Sequence, residues 1–359
     1  MLVEVRQLKT LSPIYLDRLL AAGWFRSSSS ISRLQYLCID DAVGSVINIR
    51  AKLKNYKFGR NARKLLKQNK QKFTHTIRKI EHIDTTREQL YQQQKERFEI
   101  FIMDNLSVFL YDYSRDTDSV FNTHEVCIYD GDKLVAVSFF DLGSQSVASI
   151  LGLYNADYQK YSLGNYTLFL EIEYAIENGF TCFYPGYVIL SEKGYVFDYK
   201  LRLENLQFRD SHGVWKNIKY LSQERWIHHL LQEQIDRSEQ SLNTAKITYQ
   251  LLLYPYFAIA QFVSYYQCIK TPIFFQIGEE KDYPLILEYL ISEEHYRLGY
   301  ASNLDDFFFE MMTESVKLSD KFYASDKYAH RPLKYDNIIL EANQLDEILI
   351  KIKELCKLA

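Results

Sequence analysis

Glycine and proline are scarce in this chain, with 13 glycines and 6 prolines in 359 residues. This scarcity excludes long flexible linkers and a collagen-like repeat. A strong net charge is also missing, because 43 basic and 46 acidic residues leave only −3, so any nucleic-acid contact must come from a local patch. The remaining composition, 47% hydrophobic and 25% charged, is that of a globular protein, and the length predicts two or three domains.

Cysteines are few, odd in number and scattered, and the sequence contains no CxxC pair and no Cys/His ligand spacing. A disulfide framework and a zinc site are therefore not expected, whereas a reducing compartment is. The five cysteines are Cys38, Cys127, Cys182, Cys268 and Cys356.

Long apolar runs are also rare. The N-terminal segment MLVEVRQLKT carries an early acid and no apolar region, so a signal peptide is not expected and a cytoplasmic location is predicted. Residues 247–269 lack charge over 23 residues, nominally enough to cross a bilayer, but they include Pro255 and several polar side chains. We predict a buried, proline-kinked core helix there, with membrane contact as the alternative.

Hydrophobic periodicity and turn signals predict an α+β fold with a mostly antiparallel sheet and flanking helices. The Asp130-Gly131 turn between two β-rich runs indicates a hairpin, and the following order of strand, helix and strand is typical of a GNAT-like acyltransferase. The predicted helices are 13–23, 60–70, 88–103, 165–178, 224–242 and 345–358, and the predicted strands are 46–50, 124–129, 133–141, 146–153, 182–189 and 337–341.

Three segments follow from these patterns. We predict an N-terminal basic domain (1–82), a GNAT-like transferase domain (83–220) and a C-terminal α/β extension of unknown role (221–359). The extension is predicted to be rich in helices, because a helical pattern dominates its first half.

Charge is sharply segregated along the chain. Residues 42–80 contain 12 basic residues and no acid, whereas the rest of the chain carries 46 acids against 31 bases. A solvated surface usually mixes both signs, so this acid-free stretch indicates an external polyanion, most simply RNA, with DNA and anionic lipid as alternatives. The predicted tRNA contacts on the helix 60–70 are Arg60, Arg63, Lys64, Lys67 and Lys70.

Three blocks of the sequence resemble the aminoacyl-tRNA–protein transferases, the arginyltransferases and bacterial leucyltransferases of the N-degron pathway. The first block is LAAGWFRS at 20–27, followed by the basic helix, and the second is the hairpin YDGDKLVAV at 129–137. The third and most specific block contains SLGNY at 162–166, EIEYA at 171–175, YPGYVI at 184–189 and DYK at 198–200. Order and spacing agree over about residues 12–220.

This resemblance implies a GNAT-like fold and transfer of an arginyl or leucyl group from charged tRNA to an acidic protein N-terminus. The implied partners are aminoacyl-tRNA and the acceptor N-terminus, with no DNA, no membrane and no cofactor. The residues themselves disfavour a coenzyme A donor, because the turn 159–165 reads QKYSLGN and lacks the second glycine of a pyrophosphate cradle.

The chain departs from the family pattern at several positions. The family's cysteine cluster, which holds a metal or iron–sulfur centre, is reduced here to Cys38, so no metal is expected. The family's Arg-His pair reads Arg97-Phe98, and the threonine that follows Ser-Leu-Gly is Asn165.

Aminolysis of an activated ester needs proximity, orientation and a stabilised oxyanion, and a general base helps further. The candidate catalytic residues are Tyr187, Tyr199 and Asp198, with Glu173 as a further candidate base. Lys200 and Arg97 are candidate partners for the acceptor's acidic side chain, and Lys200 is alternatively a ligand of the tRNA terminus. The other candidate substrate-binding residues are Ser162, Gly164, Asn165 and Gly186.

Two other classes of function stay open at this point. A catalytically silent relative that binds tRNA or acidic N-termini as an adaptor is favoured by the missing cysteines and by Phe98. A GNAT acyltransferase acting on a small substrate is disfavoured by the missing glycine-rich turn. The tyrosines of the candidate site also have an ordinary explanation, since a chain with 29 tyrosines places many of them in its core.

Overall fold

A computed structural model of the protein describes residues 3–39, 41–95, 101–111, 119–258, 266–278, 282–305, 316–318 and 320–356. The helices in these ranges are α1 (Pro13–Ala21), α2 (Arg60–Lys72), α3 (Thr85–Gln94), α4 (Leu106–Tyr111), α5 (Leu163–Glu177), α6 (Ile227–Thr244), α7 (Asp320–Tyr323) and α8 (Leu345–Cys356).

The strands are numbered in chain order and form four sheets. Those of the first two sheets are β1 (Val3–Gln7), β2 (Phe25–Ser27), β3 (Ser30–Leu34), β4 (Tyr36–Ile39), β5 (Ala42–Lys52) and β6 (Thr74–Lys79), and later β8 (Thr123–Asp130), β9 (Lys133–Leu142), β10 (Ser146–Tyr154), β11 (Cys182–Tyr184), β12 (Tyr187–Ser191), β13 (Gly194–Val196), β14 (Leu206–Arg209) and β15 (Trp215–Asn217). The others are β7 (Phe101–Met103), β16 (Tyr249–Leu253), β17 (Ile273–Ile277), β18 (Leu285–Leu290), β19 (His295–Asn303), β20 (Val316–Leu318) and β21 (Leu333–Ala342).

The main sheet contains 11 strands in the order β13-β12-β5-β11-β10-β9-β8-β6, with β4 and β14 paired to β5 and β15 paired to β14. Its pairs are antiparallel except β10 with β11, which run parallel from the register Ser146↔Cys182. A parallel pair requires a crossover connection, and α5 supplies it. This antiparallel meander followed by a helix and a parallel strand confirms the predicted GNAT-like α+β fold.

The central hairpin forms as predicted. Gly131 occupies the left-handed region with φ +60°, so the Asp130-Gly131 pair closes the tight turn between β8 and β9. Helix α5 ends as predicted before Gly179, which has φ +76°.

Helices cover both faces of the main sheet. Leu66 of α2 and Tyr166 of α5 are buried in one hydrophobic cluster with Val135 of β9 and Val147 of β10. Helices α3 and α4 bury Leu90 and Leu110 against the opposite face, and α1 buries its apolar residues farther along that face. The amphipathic patterns that predict α1, α2 and α5 are thus explained by burial of one side of each helix.

The C-terminal extension is an α+β unit and differs from the helix-rich prediction. Strands β16-β17-β18-β19-β21 form an antiparallel sheet of five strands, and α6 and α8 pack on one of its faces. The predicted helix over 247–269 is wrong at its start, because Tyr249–Leu253 pairs with Ile273–Ile277 as strand β16. A short apolar run does not distinguish a helix from a strand by its periodicity, and the strand that pairs with this one lies about 20 residues farther along the chain.

Two other element predictions differ from the structure. The helix predicted over 88–103 ends at Gln94, and Phe101–Met103 is a strand, while residues 96–100 lie outside the described ranges. The strand predicted over 182–189 is split into β11 and β12 by Pro185 and Gly186, because a proline cannot donate to the ladder and Gly186 has φ +92°.

The segments predicted as domains 1–82 and 83–220 share the main sheet, since β5 and β6 pair with strands of the second segment. The extension joins the first segment through a buried contact, in which the Ser45 hydroxyl lies 2.8 Å from His228 Nδ1 and accepts the His228 backbone N–H. The division into three segments stays a prediction about the chain.

Candidate functional site

The passage from β11 to β12 sets the geometry of the candidate site. Pro185 and Gly186 interrupt the ladder, and the Gly186 carbonyl accepts a hydrogen bond from Ile49 N at 3.2 Å. Strand β12 then pairs with β5 so that Tyr187 lies opposite Asn48. The interruption therefore starts β12 at Tyr187, in a fixed register with β5.

Lys200 lies directly beside this interruption. It belongs to the 3-10 turn Asp198–Arg202, and its Nζ donates a hydrogen bond to the Tyr187 carbonyl at 3.2 Å. A Cβ added to Gly186 would lie 3.4 Å from that Nζ, so glycine leaves room for the ammonium group. The candidate residues Gly186, Tyr187 and Lys200 are thus brought together by the fold.

Aromatic rings enclose the Lys200 ammonium group. Its Nζ lies 4.8 Å from the ring centroid of Phe197, 5.6 Å from that of Tyr187 and 5.9 Å from that of Tyr199. Burial lowers the pKa of Lys200 to about 8, and no carboxylate within the described ranges forms an ion pair with it. The site therefore holds a partly buried cation whose charge the described residues leave uncompensated, which favours an anionic ligand.

Tyr187 is the second component of the site. Its ring packs on Phe25 at a centroid distance of 4.9 Å and on Phe197 at 6.2 Å. Burial raises the pKa of Tyr187 to about 12, so the phenol stays protonated and is available as a hydrogen-bond donor rather than as a base. Phe25 comes from the LAAGWFRS block, and sequence reasoning did not assign it to the site.

The other predicted catalytic residues occupy different surroundings. Asp198 is 60% exposed and pairs with Arg202 at 3.2 Å, which directs its carboxylate to solvent rather than to Lys200. Tyr199 is 39% exposed and contributes its ring to the aromatic enclosure. Glu173 lies on α5 and pairs with Lys70 of α2 at 2.7 Å, so its carboxylate is already engaged.

The predicted substrate-binding residues of the SLGN turn lie at the start of α5. Ser162 is in the left-handed region with φ 52° and its side chain does not cap the helix. A Cβ on Gly164 would make ordinary contact with the Tyr154 ring at 3.6 Å, so this position does not require glycine. Within the described ranges, no hydrogen bond or ring contact joins Ser162, Gly164 or Asn165 to Lys200, and Arg97 lies outside those ranges.

The basic helix α2 presents its charge to solvent as predicted. Arg60, Arg63, Lys64 and Lys67 line an open surface groove and form no ion pair with the described part of the chain. Lys70 differs, because its ammonium group pairs with Glu173. Leu66 and Asn69 hold the opposite side of α2 in the core, where Asn69 Nδ2 donates to the Tyr161 carbonyl at 2.9 Å.

A buried carboxylate that sequence reasoning missed lies beneath the sheet. Glu171 of α5 is fully buried, and neither carboxylate oxygen has a hydrogen-bond partner in the described structure. Burial raises the pKa of Glu171 to about 8, although the neighbouring hydroxyls of Ser138 and Ser149 oppose part of this rise. Ser149 is at the β-bulge of β10, where the pairing with β9 shifts register. The EIEYA pattern marks a helix in the sequence but does not mark this burial.

We expect Glu171→Gln to make the protein more stable at pH 8. The folded state holds the Glu171 proton between the ordinary carboxyl pKa and about 8, so its contribution to stability falls as pH rises through that interval. The neutral amide lacks this titration, and the variant should gain about 3 kcal/mol over the wild type between pH 5 and pH 8.

Urea unfolding of both proteins at the two pH values measures this difference. Glu177→Gln, on the exposed end of α5, is the matched control and should leave the pH dependence unchanged. Parallel curves for the wild type and Glu171→Gln would contradict the assignment of a buried, titrating carboxyl.

No group of three or more His, Cys, Asp or Glu side chains in the described ranges is arranged to hold a metal ion. Cys38 is buried, burial raises its thiol pKa, and its Sγ donates to the Pro272 carbonyl at 3.3 Å. The expectation that the protein needs no metal stays a prediction. Among the described helices, none has the length and apolar character that a bilayer crossing requires.

Known proteins match the central part of the chain. Residues 72–210 match the family "Arginine-tRNA-protein transferase, C terminus". The aspartate/glutamate leucyltransferase of Campylobacter jejuni subsp. jejuni serotype O:6 is 25% identical over 194 residues, covering 52% of this chain and 77% of that protein. The enzyme of the same name from Campylobacter jejuni strain RM1221 is 26% identical over 180 residues, covering 48% of this chain and 71% of that protein.

Solved structures match at low similarity. L-PGS from Bacillus licheniformis has a TM-score of 0.30 and 13% identity, covering 43% of this chain and 48% of that chain. FemX has a TM-score of 0.32 and 9% identity, covering 54% of this chain and 65% of that chain. The chain spans about half the length of the first of these structures.

The family match falls on the segment that carries the hairpin, α5 and the Lys200 site, and the leucyltransferases agree with it at modest identity. These findings confirm the resemblance that the three residue blocks carry: residues 72–210 are similar to the C terminus of the arginine-tRNA-protein transferases, and about half of the chain is similar to the aspartate/glutamate leucyltransferases.

Proposed function

We propose that this protein transfers an arginyl or leucyl group from charged tRNA to the amino terminus of a protein whose first residue is acidic. The observation that carries the proposal is the partly buried Lys200 ammonium group, which has aromatic neighbours and no carboxylate partner in the described structure. A carboxylate side chain of the acceptor would compensate this charge in a partly desolvated site.

The proposal assigns the tRNA to the exposed face of α2. Four cations there lack protein partners in the described structure, and phosphate groups are their natural counterions. Lys70 is engaged by Glu173 and contributes less than its sequence position predicts. Lys200 is left to the acceptor in this assignment, and the alternative that it holds the tRNA terminus is tested below.

In this reaction the protein itself forms no covalent bond to either substrate. The acceptor amine attacks the ester carbonyl, an amide bond forms, the bond to the terminal ribose oxygen breaks, and the amine proton ultimately reaches that oxygen. Tyr187 stays protonated, and its hydroxyl has no hydrogen-bond partner within the described structure, so the proposal assigns to it a hydrogen bond to the developing oxyanion. Orientation of the two substrates supplies most of the remaining rate enhancement.

The test is incubation of the purified protein with mixed charged tRNAs and reporter peptides that begin with Asp, Glu or Ala, followed by mass spectrometry. We expect an added residue of arginine or leucine mass on the Asp and Glu peptides and little on the Ala peptide. Equal modification of all three peptides would refute acidic specificity. Binding of tRNA without any added mass would refute the enzyme and support the adaptor alternative.

A further inference from the structure

Arginine side chains cluster around the Gly23 turn, beside the three-stranded sheet. The Arg6 guanidinium lies 4.2 Å from the Trp24 ring centroid, and the Arg33 guanidinium lies 5.3 Å from it. Glu4 pairs with Arg33 and lies 3.9 Å from Arg6. Glu4 is therefore the shared carboxylate of two guanidinium groups, those of Arg6 and Arg33. Arg209 is the third arginine of the cluster.

Arg209 of β14 has no counterion in the described structure. Its Nε is buried without a hydrogen-bond partner, and its side chain forms no ion pair within the described ranges. The neighbouring Asp210 compensates this charge only in part, because its carboxylate pairs with Lys216 at 3.0 Å and accepts the Val214 N–H at 2.7 Å. Burial, and then the positive charge of Arg33, lower the pKa of Arg209.

Two glycines make room for the Arg209 side chain. Gly23 and Gly213 have φ values of +83° and +82°, so other residues would be strained at either position. A Cβ on Gly23 would lie 3.1 Å from Arg209 Cδ, and a Cβ on Gly213 would lie 2.5 Å from Arg209 Nη2. The fold thus accommodates the Arg209 guanidinium at the Gly23 turn, within electrostatic reach of Arg33 over the adjacent Trp24 ring, an arrangement that costs free energy unless an anion joins it.

We propose that Arg209 and Arg33 bind a phosphate group at the Gly23 turn, in a site separate from the basic face of α2. Phosphate fits better than a single carboxylate, because it carries more charge and offers enough oxygens for two guanidinium forks at once. The phosphate comes either from a small free molecule or from the backbone of an RNA, which share the same chemistry.

This site lies next to the Lys200 site. Asn48 Nδ2 donates to the Gly23 carbonyl at 3.1 Å and pairs across the sheet with Tyr187, and Phe25 follows Gly23 by two residues and packs on the Tyr187 ring. An RNA phosphate held here would lie near the candidate position of acyl transfer.

The test is titration of the full chain with inorganic phosphate at constant ionic strength, followed by calorimetry and phosphorus NMR. We expect saturable binding to the wild type with a dissociation constant of about 1 mM. Arg209→Met should weaken it at least about tenfold. Glu4→Gln should tighten it by roughly threefold, because it frees Arg33 and removes the one carboxylate in the cluster. Arg225→Met, which changes an exposed arginine of the extension, is the matched control and should bind as the wild type does.

Competition with tRNA identifies the source of the phosphate. If the site takes RNA, Arg209→Met should weaken tRNA binding. Phosphate at about 10-fold its dissociation constant should likewise weaken tRNA binding by the wild type. If it takes a small molecule, neither change should affect tRNA binding. Because inorganic phosphate binds without tRNA or acceptor, the result is independent of the proposed transferase activity.

Wild-type protein that shows no saturable phosphate binding would overturn the inference, as would equal binding by Arg209→Met and Arg225→Met. If Arg209→Met does not fold, Arg209→Lys keeps the charge without the planar fork and should still lose affinity. Glu4→Gln does not touch Arg209, so unchanged or weaker phosphate binding by this variant would also count against the site.

Discussion

Replacing Arg60, Arg63, Lys64 and Lys67 together with glutamate should weaken tRNA binding by about a thousandfold at physiological salt. These four side chains line one exposed groove of α2, and the described structure gives them no acidic partners. Each lost phosphate contact should also reduce the slope of log affinity against log salt by about one unit. Filter binding of a charged tRNA from low to high salt measures both effects.

The control for this experiment changes the net charge by the same amount elsewhere. Lys219, Arg225, Lys246 and Lys327 are exposed in the C-terminal half, and their replacement by glutamate gives a protein of equal net charge. That variant should keep most of the affinity and nearly the full salt slope. If the two variants behave alike, the long-range field of the protein drives RNA binding, and α2 is not the contact surface.

Under the proposed function, Lys200→Met should abolish the preference for acidic acceptors. Removal of a charge-assisted partner in a desolvated site should raise the acceptor KM for an Asp-initiated peptide by about 10- to 100-fold. The KM for an Ala-initiated peptide should change little, because that acceptor offers no carboxylate to Lys200. Peptide kinetics at saturating charged tRNA separate these values.

The preference should also depend on pH. Burial lowers the pKa of Lys200 to about 8, so the ammonium group is charged below that pH and neutral above it. The wild-type ratio of Asp to Ala turnover should therefore fall as pH rises through about 8, whereas the ratio for Lys200→Met should stay flat. Using a ratio cancels the titration of the acceptor's own amino group.

A rise in the KM for charged tRNA, with the Asp preference kept, would instead assign Lys200 to the tRNA terminus. Lys219→Met serves as the matched control, since this lysine is exposed and lies in a different part of the fold. Thermal unfolding of Lys200→Met and of the wild type should be measured alongside the kinetics. Lys200→Met should be at least as stable as the wild type at neutral pH, because it removes a partly buried charge that the described residues leave uncompensated.

Local chemistry explains which parts of the fold were predictable. The β8–β9 hairpin depends on Asp130-Gly131, and helix α2 on a repeat of apolar positions bounded by Gly59, so neighbouring residues alone contain the signal. The helix predicted at the position of β16 in the extension was wrong, because neighbouring residues alone do not contain the signal for this strand. Strand β16 is defined by its pairing with β17, and a charge-free run with many aromatic residues is compatible with either helix or strand.

The candidate site also combines features that the sequence determines with features that only the tertiary structure determines. The sequence by itself determined the acid-free basic helix, the Gly186-Tyr187 and Lys200 positions, and the resemblance to the aminoacyl-tRNA–protein transferases, because these depend on residue type and spacing. The tertiary structure decided which charges are compensated: Glu173 engages Lys70, whereas Lys200, Glu171 and Arg209 are left without ionic partners within the described ranges. Burial and counterions are properties of neighbours in space, and the strands that supply those neighbours come from distant parts of the chain.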